Sequence, residues 1–482
     1  MQIVSFTFLG FFLIVVLGVH VIPGRFRHVW LFAASIFFYF TQGAAHTVFL
    51  LFSILSTWIG GMLLTRFAEN AARKKAVLAG ILVCNFLVLA YFKYIGFFSG
   101  GRLTSPILPV GISFYLFQSA GYLIDVYRGT VPAERDPLRY GLFVSFFPTV
   151  LSGPIERGAH LLPQLQTEFL REVRFDTLRI RDGLVRMLWG YFCKMVLADR
   201  LAVAVDAVYA APGAHGGAVL FLASACYTLQ IYLDFAGYSS IAIGIAKCLG
   251  IEVAENFNAP YLAKSIGDFW RRWHISLSTW FRDYLYIPLG GNRKGQARKL
   301  LNLMIVFLVS GLWHGAGWNF ILWGALHGIY QVIGILLLPF RKVLRRTLFR
   351  DESGEKAPCL VIRIVWTFLL VNLAWIFFRM GSLAGAFRVI AGFARPGWAE
   401  FFSGTLLSLG LNLPEWRLLA AGLAVVLISD LCSLKDIRIS RIIADSPLPL
   451  RWAVYIAGVL IVLICGVWGP GYDASSFIYY RF

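Results

Sequence analysis

The chain has 482 residues, of which 59% are hydrophobic, 16% aromatic and only 14% charged, with a mean hydropathy of +0.71. Soluble domains carry about 25% charged residues, so the composition excludes a water-soluble globular enzyme and indicates an all-α polytopic membrane protein. The net charge of +19 would suggest a nucleic-acid partner in a soluble chain, but here the basic residues cluster between apolar runs, where the positive-inside bias accounts for them; no nucleic acid is expected.

At roughly 20 residues per span, the apolar runs accommodate ~10–12 membrane helices plus interfacial or re-entrant segments. The seven cysteines are scattered without a C-x-x-C pair, and read as small buried hydrophobes, neither a disulfide framework nor a metal site. The N-terminus lacks a basic n-region and reads as a retained first helix.

The first apolar run, Ile3–Ile22, stops at Pro23-Gly24 and is followed by Arg25, Arg27 and His28. The next, Val29–Thr41, leads through the uncharged QGAA to His46–Thr65, which ends in Arg66 and the cluster Arg73, Lys74, Lys75. Ala76–Phe98 closes this group. Basic and neutral loops alternate, which places the N-terminus outside and the Arg25 and Lys74 loops in the cytoplasm. Leu108–Val126, interrupted by Pro109, Gly111 and Gly121, and the short Tyr140–Gly153 are suited to broken, protein-lined segments. Ordinary kinked helices remain the alternative.

Glu156–Arg186 is basic and amphipathic, with Phe169, Leu170, Val173, Leu178 and Leu184 as an apolar stripe, the pattern of helices lying on an anionic leaflet. Gly183–Ala210 and Ala218–Ile251 return to the membrane. The second contains QIYLDFAGYSSIAIGIAK, where Asp234 either packs against a tyrosine or a neighbouring helix, or orients a catalytic group. After Tyr330 the chain runs through a basic loop, Arg341–Lys356, a helix near Ile362–Met380, an irregular segment with Pro396 and Pro414, and two spans near Leu418–Leu431 and Trp452–Trp468. No repeat or low-complexity linker divides it. The chain reads as one membrane domain, with N-terminal helices over about 1–105, a core over about 106–380 and C-terminal helices over about 381–482.

The densest chemistry lies between Glu255 and Tyr330. Ser265 and Asp268 give an S-x-x-D helix start. Phe269, Trp270, Trp273, Leu277, Trp280, Phe281 and Tyr284 then recur at helical spacing, opposite Arg271, Arg272 and Arg282, as in an interfacial helix. On that helix His274 stacks with Trp270 and Ser278, and reads either as a structural interfacial histidine or as part of a site. His314 lies in a run without Asp, Glu, Lys or Arg from Leu300 to Phe340. An ionisable ring at membrane depth marks a functional site by default, although a neutral imidazole can also bond one helix to another. No H-E-x-x-H, nucleophile elbow or Walker loop is present.

The segments YLDFAGYSSIAIG, ENFNAPY, SIGDFWRRWHISLSTWFRDYLYIPLGGNR and SGLWHGAGWNFILWGALHG resemble the membrane-bound O-acyltransferase family, in particular its polysaccharide-acetylating bacterial members. The closing FIYYRF resembles that subgroup too. The resemblance implies a fan of helices around a central tunnel, with His314 as the essential catalytic residue and His274 at the family's second, more variable position. It implies a donor thioester, acetyl-CoA, bound from the cytoplasm, and a hydroxyl activated by neutral His314 as general base. His274 would orient the acceptor or stabilise developing charge, helped by Arg271 or Arg272. Asn256 and Asp234 are further candidates at the donor site, and basic residues of Arg157–Arg186 and Arg293–Lys299 are candidates for the coenzyme A phosphates. No bound cofactor or metal is expected. The implied partners are the lipid bilayer, a periplasmic acetyltransferase protein and an exopolysaccharide such as alginate, at the bacterial inner membrane. D-alanyl or peptidoglycan O-acyl transfer stays open within the family, and a polysaccharide transporter or scaffold outside it.

Overall fold

The computed structural model describes residues 1–349, 356–404 and 409–468. Among them the regular structure is helical, and β-type pairing is confined to an isolated bridge between Phe257 and Trp273. Among the described residues, seven helices are long and apolar enough to cross a membrane: Ala44–Arg66, Ala71–Phe98, Gly217–Cys248, Trp318–Leu336, Ala357–Arg379, Leu413–Ser433 and Leu448–Cys465. The protein is therefore a multi-pass membrane protein. Fewer than the ~10–12 spans expected at about 20 residues each reach that length, because several apolar helices are short. Phe6–Val21 has 16 residues, Arg27–Phe40 has 14 and Ile112–Arg128 has 17.

The described residues pack as two compact units, the first built from Met1–Tyr191 and Tyr238–Glu255, the second from Phe192–Gly237 and the residues from Asn256 onward. The Gly217–Cys248 helix supplies its first part to the second unit and its last turns to the first.

In the first unit the core is rich in aromatic rings. Phe38 lies 5.8 Å from Phe8 and 5.9 Å from Phe147 between ring centroids. The apolar segment containing Pro109 breaks at Gly111, whose φ of +76° is left-handed and where a Cβ would lie 2.4 Å from the Val150 carbonyl oxygen. The helix starts only at Ile112 because glycine alone fits that turn. The basic stretch after Glu156 forms the short helices Gly158–Leu161 and Thr167–Glu172 and the longer Thr177–Tyr191. Its expected apolar stripe divides: Leu170 and Val173 are buried, whereas Phe169, Leu178 and Leu184 are exposed. Arg27 fastens the buried part by donating to the Leu170 and Val173 carbonyls, each at 2.6 Å.

The second unit holds the 255–330 region from Asn256 on. The stretch expected as a loop from Arg341 is helical over Leu338–Phe349. Residues 350–355 and the FIYYRF tail lie outside the described residues.

Candidate functional site

The site is organised by a close helical hairpin, Gly295–His314 and Trp318–Leu336, joined by Gly315-Ala316-Gly317. Close approach is made possible by glycine. A Cβ on Gly311 would lie 2.3 Å from the Phe320 carbonyl oxygen, and one on Gly324 would lie 2.2 Å from that of Phe307. Backbone thus meets backbone, which any larger residue would prevent. Asn319, in the first turn of the second helix, donates to the Phe377 and Met380 carbonyls at 3.3 and 3.0 Å. That pair of bonds anchors the hairpin to the end of the Ala357–Arg379 helix.

His314 is the last residue of its helix and is 2% exposed. Aromatic edges and faces surround its ring: Trp313 at 4.8 Å, Trp323 at 4.9 Å and Phe378 at 5.3 Å between centroids. Trp375 stacks on Trp323 at 5.5 Å and meets Phe378 edge-on at 5.1 Å, which holds two walls of this cage in place. Aromatic pairs of this kind add ~0.5–1.5 kcal/mol each beyond the area they bury.

His274 sits differently from the sequence expectation. The 265–284 stretch is not one interfacial helix: Ile266–Arg272 ends at Trp273, and Ile275–Phe281 begins after His274. His274 is the hinge, with φ +45° and ψ +54°, and its side chain is fully buried. The cause is tertiary. The Asn258 N–H donates to the Arg272 carbonyl and the Ile275 N–H to the Asn256 carbonyl, both at 3.0 Å, so the extended 256–258 segment replaces the helical bonds lost at the break. Left-handed backbone costs a non-glycine residue ~1–2 kcal/mol, and such strain tends to be kept where a site needs it. The S-x-x-D start is present, Ser265 Oγ accepting from the Asp268 N–H at 3.2 Å. His274 lies outside the seven spanning helices, and burial pushes its imidazole down to about 3, because a charged ring loses its hydration there.

The two histidines share one neighbour. The Trp313 indole lies 6.1 Å from the His274 ring and 4.8 Å from the His314 ring. Phe235 also meets His274, edge-on at 4.7 Å.

Of the other sequence candidates, Asn256 is fully buried, and its carboxamide oxygen accepts from Ser276 Oγ at 2.6 Å and from the Ser276 N–H at 3.3 Å. With its backbone carbonyl bonded to the Ile275 N–H, it clamps the residues that follow the His274 hinge. Asp234, 2% exposed, pairs with Lys194 at 2.6 Å, and the same ammonium pairs with Asp199 at 2.6 Å. Tyr232 turns instead to Asp430, at 3.0 Å. Lys194 stands on a π-helical segment, Phe192–Ala198, a geometry common near functional sites. Phe235, the ring that meets His274, is the next residue on the same helix as Asp234. Arg272 is held by Asp268 at 3.1 Å, whereas the Arg271 side chain, 3.4 Å from the same carboxylate, is 75% exposed. Among the described residues no group of three or more His, Cys, Asp and Glu is placed to hold a metal ion.

Sequence reasoning passed over Lys194, Trp313, Trp323, Trp375, Phe378 and His327. The uncharged context of His327 carried the same signal that singled out His314. Nothing local marked Lys194 as the partner of Asp234.

An all-helical membrane protein with two buried histidines around one indole fits a membrane enzyme class. Residues 135–378 match the membrane-bound O-acyltransferase family, and the chain belongs to that family. It is an O-acyltransferase, which sets aside the transporter and scaffold readings. Among its relatives, a probable alginate O-acetylase AlgI of Pseudomonas putida is 38% identical over 401 residues, covering 80% of this chain and 78% of that protein. A peptidoglycan O-acetyltransferase of Helicobacter pylori is 34% identical, covering 80% of this chain and 76% of that protein. A teichoic acid D-alanyltransferase of Bacillus subtilis is 29% identical, covering 54% of this chain and 69% of that protein.

Proposed function

We propose that the protein transfers acetyl groups from cytoplasmic acetyl-CoA for O-acetylation of an exopolysaccharide of the alginate type, with His314 as the general base. The reading rests chiefly on one observation, that His274 and His314 meet the same Trp313 inside a buried aromatic cage. In this scheme an acceptor hydroxyl attacks the thioester carbonyl while a nitrogen of the His314 ring takes its proton. The tetrahedral adduct then collapses, the C–S bond breaks, and the coenzyme A thiolate recovers the proton from the imidazolium. His314 ends its helix, where the carbonyl end carries partial negative charge and favours a cation. That position supports the imidazolium at the moment it forms.

His274 is assigned to orienting the acceptor or stabilising the developing oxyanion. Asn256 and Asp234 serve it from behind, through Ser276 and Phe235 respectively. Arg271, with the exposed Arg293 and Lys294, is the candidate contact for the donor's phosphates. The 38% identity to a probable alginate O-acetylase supports an alginate-type acceptor, reached in this reading through a periplasmic acetyltransferase protein. In this reading the enzyme sits in the inner membrane with its N-terminus in the periplasm, an orientation that the charge bias of the loops supports.

The test is release of free coenzyme A from labelled acetyl-CoA by the purified protein in lipid nanodiscs, with and without periplasmic extract and alginate. Release that rises with extract and leaves label on the glycan supports the reading. Turnover only with a carrier-protein thioester would overturn the donor assignment, and label on peptidoglycan in place of alginate would overturn the acceptor.

A further inference from the structure

A third histidine, His327, is fully buried in the Trp318–Leu336 helix. Its ring lies 5.0 Å from Trp323, 5.1 Å from Trp270, 5.9 Å from Tyr330 and 6.2 Å from both Phe269 and Phe307. The Trp270 Nε1–H donates to His327 Nδ1 at 3.2 Å. An indole nitrogen can only donate, so Nδ1 accepts and the ring proton of the neutral imidazole sits on Nε2. That Nε2 is buried with no hydrogen-bond partner in the protein among the described residues. A phenylalanine would fill the same aromatic surroundings without this desolvation penalty, so packing alone does not account for an imidazole here.

What the ring joins does account for it. Trp270 belongs to the Ile266–Arg272 helix, which runs directly into the His274 hinge. Trp323, on the helix turn before His327, meets both His327 at 5.0 Å and His314 at 4.9 Å. The Trp270 and Trp323 indoles also touch, at 5.7 Å and 69°. One imidazole therefore fastens the element that carries His274 to the indole that walls His314.

We propose that His327 is a positioning residue for acyl transfer, a neutral imidazole whose Nδ1, bonded to Trp270, sets the Trp270–Trp323 pair and through it the relative placement of His274 and His314. The proposal rests on the assignment of acyl transfer to His314. It requires an acceptor at the Nδ1 position more than it requires a ring.

The experiment compares full-length wild type with His327→Asn, His327→Phe, Trp270→Phe and the double variant Trp270→Phe/His327→Phe, all in lipid nanodiscs. His327→Phe keeps the volume and loses the acceptor; His327→Asn keeps an oxygen close to where Nδ1 was. The expected result is a fall in kcat of about tenfold or more for His327→Phe, with KM for the thioester changed less than about twofold. His327→Asn should restore most of that loss, and the double variant should add little to either single change. A wild-type kcat in His327→Phe, or equal losses in the Phe and Asn variants, overturns the proposal. If His327→Phe fails to fold, nitrogen NMR of wild type with labelled histidine decides, with the His327 signals assigned through His327→Asn. An unprotonated Nδ1 supports the assignment and a protonated Nδ1 overturns it. Should wild type turn over no acetyl-CoA, the proposed donor fails, while the Nδ1 spectrum still decides the role of His327.

Discussion

The surroundings of His274 and of His314 reach the same result, a buried imidazole, by opposite means. His314 is placed by the absence of side chains: Gly311 and Gly324 let two helices touch backbone to backbone, and aromatic rings close the remaining space. His274 is placed by polar groups on a strained backbone, with Asn256 and Ser276 holding a left-handed hinge between two short helices. A helix end set between aromatic walls gives a ring a fixed position. A hydrogen-bonded hinge gives it a direction that small changes in the clamp can alter. This difference suits the roles proposed for the two rings, a base held in place and a second group that adapts to its acceptor.

The comparison can be broken most severely at the hairpin. In Gly324→Leu the new side chain begins 2.2 Å from the Phe307 carbonyl oxygen, a backbone atom that cannot step aside. Overpacking costs ~1–3 kcal/mol in ordinary cores, and here the upper end or beyond is expected, with transfer activity lost. Thermal melting in nanodiscs and coenzyme A release measure both. A folded, active Gly324→Leu protein would remove the hairpin from the account.

A middle effect is expected at the clamp. Asn256→Ala leaves the Ser276 hydroxyl and N–H without their acceptor in a buried place, at about 1–3 kcal/mol. Activity should fall with it, while Ser276→Ala, which removes one donor only, should cost less. Equal melting temperatures for wild type and Asn256→Ala would show that the hinge does not depend on this bond.

The smallest stability effect sharpens the comparison most. His274→Gly keeps the left-handed backbone without strain and removes the ring, so its stability should stay within about 1 kcal/mol of wild type. His274→Ala keeps the strain and should be less stable than His274→Gly. Transfer should be impaired alike in both if the imidazole is what the site uses. Full activity in the glycine variant would reduce His274 to a turn residue.

How much of this was legible in the sequence follows from where each determinant lies. The membrane class, the charge-free run around His314 and the Ser265 cap are local or compositional, and they are present as read. The His274 hinge was not legible, because aromatic spacing continues through Trp273 and His274 without a Pro or Gly to stop a helix. The break comes from the 256–258 segment, whose hydrogen bonds to Arg272 and Ile275 connect residues far apart in the pattern. Asp234 was visible as an anomaly, but Lys194, which resolves it, stands on another element with nothing to link the two in sequence. His327 lies in the same charge-free run as His314 and carried the same signal, but its bond to Trp270 joins residues 57 positions apart, which no local pattern shows.

The central claim is that His314 performs the proton transfer and that the rest of the cage serves its placement. The most direct measurement is single-turnover thioester consumption by His314→Ala in nanodiscs, with melting and donor binding recorded on the same preparation. The account predicts a protein that melts near wild type, still binds its donor, and reacts ~10²–10⁴-fold more slowly. A folded His314→Ala protein that consumes thioester at the wild-type rate would contradict it.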